Sequence, residues 1–369
     1  MIHTLGKAFS DHSSSGRAEV IVIYAVLIAA NVAAWIWAVA AFGDNPAALG
    51  TAFLAYVLGL RHAVDPDHIA AIDNVVRKLM QEGKRPFAAG FFFSLGHSTI
   101  IALAAALIAG ATAALKLQIG AFQAIGSIIS TVVSAFFLLL LALLNMIILK
   151  HVWASFKKAR DGKWSEQDEI NPLLSGGGLL ARIFRPLFRL VSASWQMYPL
   201  GFLFGLGFDT ATEISLFAVA ASNAAAGASL HTIMVFPALF AAGMMLIDTT
   251  DSVMMVGAYG WAFLNPVRKL WYNLTITSIS VMIAFGIGGV EAIGLLADQM
   301  GLKGPIWDFV RKLNENLSYF GYIVIGAFVL AWFVSMIIFK WKGYDRIAYN
   351  EPPAATANRA LDNDRTIRE

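Results

Sequence analysis

The sequence predicts an all-α integral membrane protein of about eight transmembrane helices, with both termini in the cytoplasm. Three observations carry that prediction. Of its 369 residues 58% are hydrophobic and only 14% are charged, a balance outside that of soluble domains. Apolar stretches of twenty residues or more recur, among them Val20 to Phe42, Phe87 to Ala111 and Tyr319 to Phe339. As helices they are long enough to cross a hydrocarbon core of about 30 Å. The lysines and arginines, finally, fall almost wholly on one side of the implied membrane.

Taken in order, the expected spans are 20–42, 47–72, 87–111, 119–149, 199–222, 231–260, 272–297 and 319–340. The first resembles a signal peptide at Ala38-Val39-Ala40. Its apolar core is too long for one, however, and Trp35 and Trp37 near one end suit an anchored helix. A short cytoplasmic segment, 1–19, precedes it, and helices one to four fill 20–149. A basic cytoplasmic loop covers 150–198, in which Leu179 to Trp195 sets Arg182, Arg185 and Arg189 on one face, the pattern of a helix lying on the membrane surface. Helices five to eight occupy 199–340. The tail, 341–369, turns polar and alanine-rich after Pro352 and reads as disordered.

With the N-terminus inside, Lys7, Arg17, Arg77, Lys78, Lys84, Arg85, the basic loop, Arg268, Lys269 and the basic tail all lie in the cytoplasm. Only Lys116, Lys303, Arg311 and Lys312 lie outside, and Arg61 sits within a helix. This asymmetry follows the positive-inside rule and sets an even helix count. It also accounts for the net charge of +3 without nucleic acid as a partner. Cysteine is absent, so there is no disulfide framework and no thiolate site, and any metal here meets nitrogen and oxygen. No Walker A motif occurs; the sequence requires no ATPase subunit and no cofactor.

Ionisable groups inside four of the spans point to function. The second carries Arg61-His62-Ala63-Val64-Asp65-Pro66-Asp67-His68, and the third Ser94-Leu95-Gly96-His97. The fifth contributes Asp209 and Glu213, the sixth Asp248 and Asp251. Each ionised group at the bilayer centre costs at least about 2.5 kcal/mol, so nine in apolar helices argue for a site rather than for incidental polarity. His62, His97, Asp209 and Asp248 all lie about ten to twelve residues from the cytoplasmic end of their helices, roughly 15 to 18 Å deep. Antiparallel helices thus present them in one layer, near mid-membrane.

On an ideal helix Asp67 points almost opposite to His62. Pro66 cannot donate to the carbonyl of His62 and disfavours helical geometry at Asp65, so a kink is expected that swings Asp67 and His68 towards His62. Three imidazoles with carboxylates favour a borderline divalent transition metal over magnesium or calcium, which prefer oxygen, and over copper(I), which prefers sulfur. Candidate metal-site residues are His62, Asp65, Asp67, His68, His97, Asp209, Glu213, Asp248 and Asp251. Asp65 is either a ligand or the counter-ion of Arg61.

At these residues the sequence resembles the nickel/cobalt transporter family. The His-x4-Asp-His signature stands as His62, Asp67 and His68 within RHAVDPDHIAAIDN. FFSLGHSTI at 92–100, LGFDTATEI at 206–214 and GMMLIDTTDS at 243–252 follow in order. The resemblance implies an eight-helix uptake permease of the cytoplasmic membrane, carrying nickel or cobalt, with His62, Asp67 and His68 needed for transport. Efflux is the alternative direction. A membrane metalloenzyme is the alternative class, disfavoured because a diiron site needs more histidines and no His-Glu-x-x-His motif occurs. The shared Gly-Leu pairs Gly59-Leu60 and Gly205-Leu206, each ahead of an acidic cluster, hint at an inverted repeat of helices one to three and four to six.

Overall fold

The computed structural model describes residues 16–110, 113–161, 191–206, 211–262 and 266–344, and among these every regular element is helical. The helices are α1 (Gly16–Phe42), α2 (Pro46–His62), α3 (Pro66–Gln81), α4 (Ala89–Gly110), α5 (Ala113–Arg160) and α6 (Met197–Phe204). There follow α7 (Ala211–Ala225), α8 (Leu230–Ile233), α9 (Val235–Ala262), α10 (Pro266–Gln299), α11 (Pro305–Glu315) and α12 (Leu317–Trp341). Among the described residues, six helical stretches are long and apolar enough to cross a membrane: Gly16–Phe42, Ala89–Gly110, Ile125–Lys158, Leu230–Gly260, Leu270–Gln299 and Phe320–Trp341. A seventh is the pair α2 and α3, bent by 51°. The expected fifth span corresponds to α6 and α7, between which residues 207–210, Asp209 included, lie outside the described residues.

The bend falls where Pro66 predicts it. Val64 N donates to Arg61 O at 3.0 Å and Asp65 N to His62 O at 2.9 Å, tight turns that close α2. The carbonyl that proline leaves without its helical donor is thus satisfied from within the elbow. Asp65 is extended (φ −64°, ψ 140°) and Pro66 occupies the first position of α3, where its missing N–H costs nothing. Gly321 of α12 seats against this elbow: a Cβ there would lie 1.7 Å from Val64 O.

Two other close crossings share one pattern. At the first, a Cβ on Gly59 would fall 2.1 Å from Phe240 O and one on Gly243 2.7 Å from Tyr56 O, locking α2 to α9. At the second, a Cβ on Gly201 would fall 2.0 Å from Phe93 O and one on Gly96 2.0 Å from Tyr198 O, locking α4 to α6. Each crossing pairs Tyr-x-x-Gly with Phe-x-x-Gly, and at each the glycine of one helix meets the aromatic residue's carbonyl on the other. Only glycine allows such backbone contact.

Several boundaries differ from the hydropathy reading. α5 runs for 48 residues, about 72 Å, so the helix continues through Lys157, Lys158 and Arg160 well past the expected end at 149. Polar residues ended the hydropathy signal there, not the helix. α11 was not anticipated, because eleven amphipathic residues lack a span's apolar length; Arg311 ties it to Asp298 of α10 at 2.9 Å and pairs with Asp308 of its own helix at 2.9 Å. The surface helix expected at Leu179 to Trp195 lies mostly outside the described residues, and Ser194–Gln196 is a single 3-10 turn. Residues 1–15 and the tail from 345 are likewise outside them.

Arg77 and Lys78 belong to α3 and are buried, and this corrects the expected end of the second span at 72, which left them in the loop beyond it. Arg77, 1% exposed, donates to Asp73 Oδ2 at 3.2 Å and to Asn74 Oδ1 at 2.7 Å. Asp73 also accepts from Tyr259 at 3.1 Å and Ser280 at 2.6 Å, so one buried carboxylate ties α3 to α9 and α10. Lys78 donates to Val191 O, Lys84 donates to Ser192 O at 2.6 Å, and the rings of Phe156, Trp271 and Tyr344 pack together, tilted or edge-on. The chain segments rich in lysine and arginine therefore gather at one end of the bundle.

Candidate metal-binding site

The elbow between α2 and α3 brings His62 and His68 together, their ring centroids 4.7 Å apart. α4 supplies His97, 4.8 Å from the His62 ring and 4.9 Å from the His68 ring. All three are buried, and one ligating nitrogen from each lies within 4.8 Å of the others. The two Nε2 atoms of His62 and His97 face each other at 2.9 Å. Glu213, near the start of α7, places Oε1 3.0 Å from His97 Nε2 and 3.9 Å from His62 Nε2. Phe93 packs edge-on to His68 and Phe240 tilts against His62, closing the site with apolar walls.

Oxygens behind the rings set their orientation. His62 Nδ1 lies 3.0 Å from Asp65 Oδ2 and 3.0 Å from Thr212 Oγ1. His68 Nδ1 lies 3.1 Å from Asp248 Oδ2, which also accepts from Ser94 Oγ at 2.5 Å. A carboxylate behind Nδ1 keeps the proton on that nitrogen and leaves Nε2 bare, the arrangement that supports histidine ligands to metals. His68 Nε2 is in fact buried with no hydrogen-bond partner. Left so, it costs about 1 to 3 kcal/mol, and a cation is the group that its lone pair and the facing imidazoles would accept.

A dication bonded at about 2.0 to 2.1 Å to each of two tetrahedral nitrogens sets them roughly 3.3 Å apart. The 2.9 Å between His62 and His97 therefore has to widen by only a few tenths of an ångström. The donor set is nitrogen and carboxylate oxygen, suited to borderline divalent ions.

The other candidates fall into place around this cluster. Asp65 is an orienting partner of His62. Asp67 is half-buried, close enough to His62 and His68 to act on both electrostatically. Asp248 stands behind His68. Asp251 lies one turn further along α9, on the wall of a separate, largely apolar cavity of about 320 Å³ shared with Tyr259, Tyr272 and Trp332. Sequence reasoning passed over Ser94, Thr212 and Asp73. All three are polar residues inside or beside the quoted motifs, and their position three residues before His97, next to Glu213 and five after His68 is the signal that was available.

Comparison with known proteins decides the family. Residues 48–338 match the family model described as high-affinity nickel-transport protein. The chain belongs to this nickel-transport family. A high-affinity nickel transport protein of Cupriavidus necator is 52% identical over 329 residues, covering 89% of this chain and 94% of that protein. The nickel transporter NixA of Staphylococcus aureus is 46% identical over 298 residues, 81% of this chain and 87% of its own length. The cobalt transport protein NhlF of Rhodococcus rhodochrous is 38% identical over 339 residues, 89% and 94% of the two chains. No solved structure matches.

Proposed function

We propose that this member of the nickel-transport family carries Ni²⁺, Co²⁺ or both into the cell across the cytoplasmic membrane, as a secondary transporter with the metal as its substrate. The observation that supports this reading best is the buried trio of His62, His68 and His97, with His68 Nε2 bare and Glu213 alongside. Relatives named for nickel and for cobalt transport support both ions. A hydrated ion arriving from outside exchanges its waters for the three imidazoles and the Glu213 carboxylate, while Asp65 and Asp248 offset its charge from behind the rings. Inward movement of a dication along 100 mV yields about 4.6 kcal/mol, over a thousandfold accumulation, so the membrane potential is a sufficient driving force.

The topology we infer has eight spans, α6 and α7 together forming the fifth, with both termini in the cytoplasm. The gathering of basic segments at one end supports that orientation. The matched crossings support an inverted repeat, because exchanging helices one to three with four to six carries α2 onto α6 and α4 onto α9. Under that exchange the Gly59/Gly243 contact maps onto the Gly201/Gly96 contact, residue type for residue type.

Accumulation of radioactive nickel in cells expressing the protein tests the direction and the ion. Uptake is expected in the wild type and lost in His68→Ala; nickel depletion from preloaded cells would overturn the uptake reading.

A further inference from the structure

The α2–α9 and α4–α6 pairs, each locked by its glycine crossing, carry part of the metal site, with His68 added from α3 and Glu213 from α7. α2 carries His62 and α9 carries Asp248, while α4 carries His97. The two pairs meet along a seam between α4 and α9, on the side of the site towards the basic end of the bundle. There Gly90 presses backbone on backbone: a Cβ on it would lie 1.9 Å from Asp248 O and 2.9 Å from Ser252 Oγ. Gly90 N donates to Ser252 Oγ at 2.7 Å, and one turn deeper Ser94 Oγ donates to Asp248 Oδ2 at 2.5 Å.

Asp248 Oδ2 is thus shared by two partners from different places: Ser94, across the seam, and His68 Nδ1, at 3.1 Å. Metal leaving towards the basic end through this seam would part α4 from α9. Parting breaks the Ser94 hydrogen bond, and the freed Asp248 carboxylate turns to the incoming water rather than holding the His68 ring. We propose that Ser94 is a positioning residue that couples seam closure to metal affinity. With the seam shut, Ser94 fixes Asp248 and Asp248 fixes His68 with Nε2 towards the metal; with the seam open, that ligand is no longer oriented. Loss of affinity on opening then follows from the geometry, and needs no separate signal. The inference rests on the transport reading above, and adds to it the element that makes binding depend on conformation.

The chain contains no cysteine, so a single introduced one reports on the seam without background. Ser252→Cys keeps a small side chain opposite Gly90, and labelling of the new thiol by a hydrophilic maleimide is followed in purified protein, with nickel affinity measured by titration calorimetry. In the otherwise wild-type chain, nickel slows labelling at position 252. Ser94→Ala is expected to weaken nickel affinity about tenfold, the low end of the effect of removing a ligating histidine's own partner, because Ser94 acts on His68 through Asp248. Saturating nickel no longer protects the thiol in that variant, and Ser94→Thr, which keeps the hydroxyl, restores both. Gly90→Ala, which wedges the seam from the other side, speeds labelling and weakens nickel binding together. Unchanged affinity or intact protection in Ser94→Ala overturns the coupling. Should Ser94→Ala fail to fold, Gly90→Ala decides: faster labelling with wild-type affinity also overturns it. Absence of nickel binding in the parent chain would instead sink the transport reading itself.

Discussion

Replacing Gly321 by alanine tests whether the metal site depends on a helix that carries none of its residues. The added Cβ would stand 1.7 Å from Val64 O, 2.8 Å from Val64 C and 3.5 Å from Asp65 Cα. Real Cβ contacts essentially never fall below 3.0 Å, so α12 and the elbow must separate by at least about 1.3 Å. Asp65 Oδ2 now sits 3.0 Å from His62 Nδ1, a close charge contact that a shift of more than half an ångström takes well beyond touching distance. If half of the displacement falls on the elbow, His62 loses that orienting partner, with a weakening of metal binding of about 10- to 100-fold. The assay is the initial rate of labelled nickel uptake into proteoliposomes across a concentration series, where KM should rise at least about tenfold. Gly326→Ala on the same helix is the control, since its Cβ would meet nothing within 4 Å. A wild-type KM in Gly321→Ala, or equal damage in Gly326→Ala, would refute the argument that the elbow positions His62.

Labelled nickel uptake should fall in the presence of excess cobalt or zinc and be little affected by magnesium or calcium, because three imidazoles discriminate against cations that prefer oxygen shells; effective competition by magnesium would contradict the ligand set. Arg77→Met should destabilise the protein by about 3 to 5 kcal/mol in a detergent unfolding assay, since it leaves Asp73 buried without its cation. Adding Asp73→Asn should recover much of that loss, and a double variant no better than the single would argue against the pair. Gly59→Ala and Gly201→Ala should lower the unfolding temperature by similar amounts, while Gly286→Ala, whose Cβ meets nothing within 4 Å, should not; strongly unequal effects would speak against equivalent crossings.

The three imidazoles and the carboxylates of the candidate site stood out because such a group in an apolar helix is expensive, and the expense is visible without coordinates, whereas Ser94 and Thr212 carry no such cost. The elbow was legible too, since proline's missing N–H and its clash with the preceding turn act locally. What each group does was not. Asp65, Asp248 and Glu213 look alike in a sequence, yet two of them stand behind imidazoles at Nδ1 and one faces the Nε2 atoms of His62 and His97, a distinction that depends on how α7 and α9 pack. Arg77 fell beyond the expected end of its span for a related reason: charges end the hydropathy signal, and only the arrival of Asp73, Tyr259 and Ser280 around α3 explains its burial. α5 shows the limit of hydropathy, which registers where apolar residues stop rather than where hydrogen bonding does.

Where α2 crosses α9 and α4 crosses α6, main chain rests on main chain, with no side chain in between to flex. The backbone positions of His62 and His97 are therefore fixed by rigid contacts, while Asp65, Thr212 and Glu213 aim the rings. A cation of unsuitable radius has to spread whole helices to gain its ligands. Attempts to redirect the protein to another metal will accordingly have more to gain from the small residues at those contacts than from exchanging the histidines.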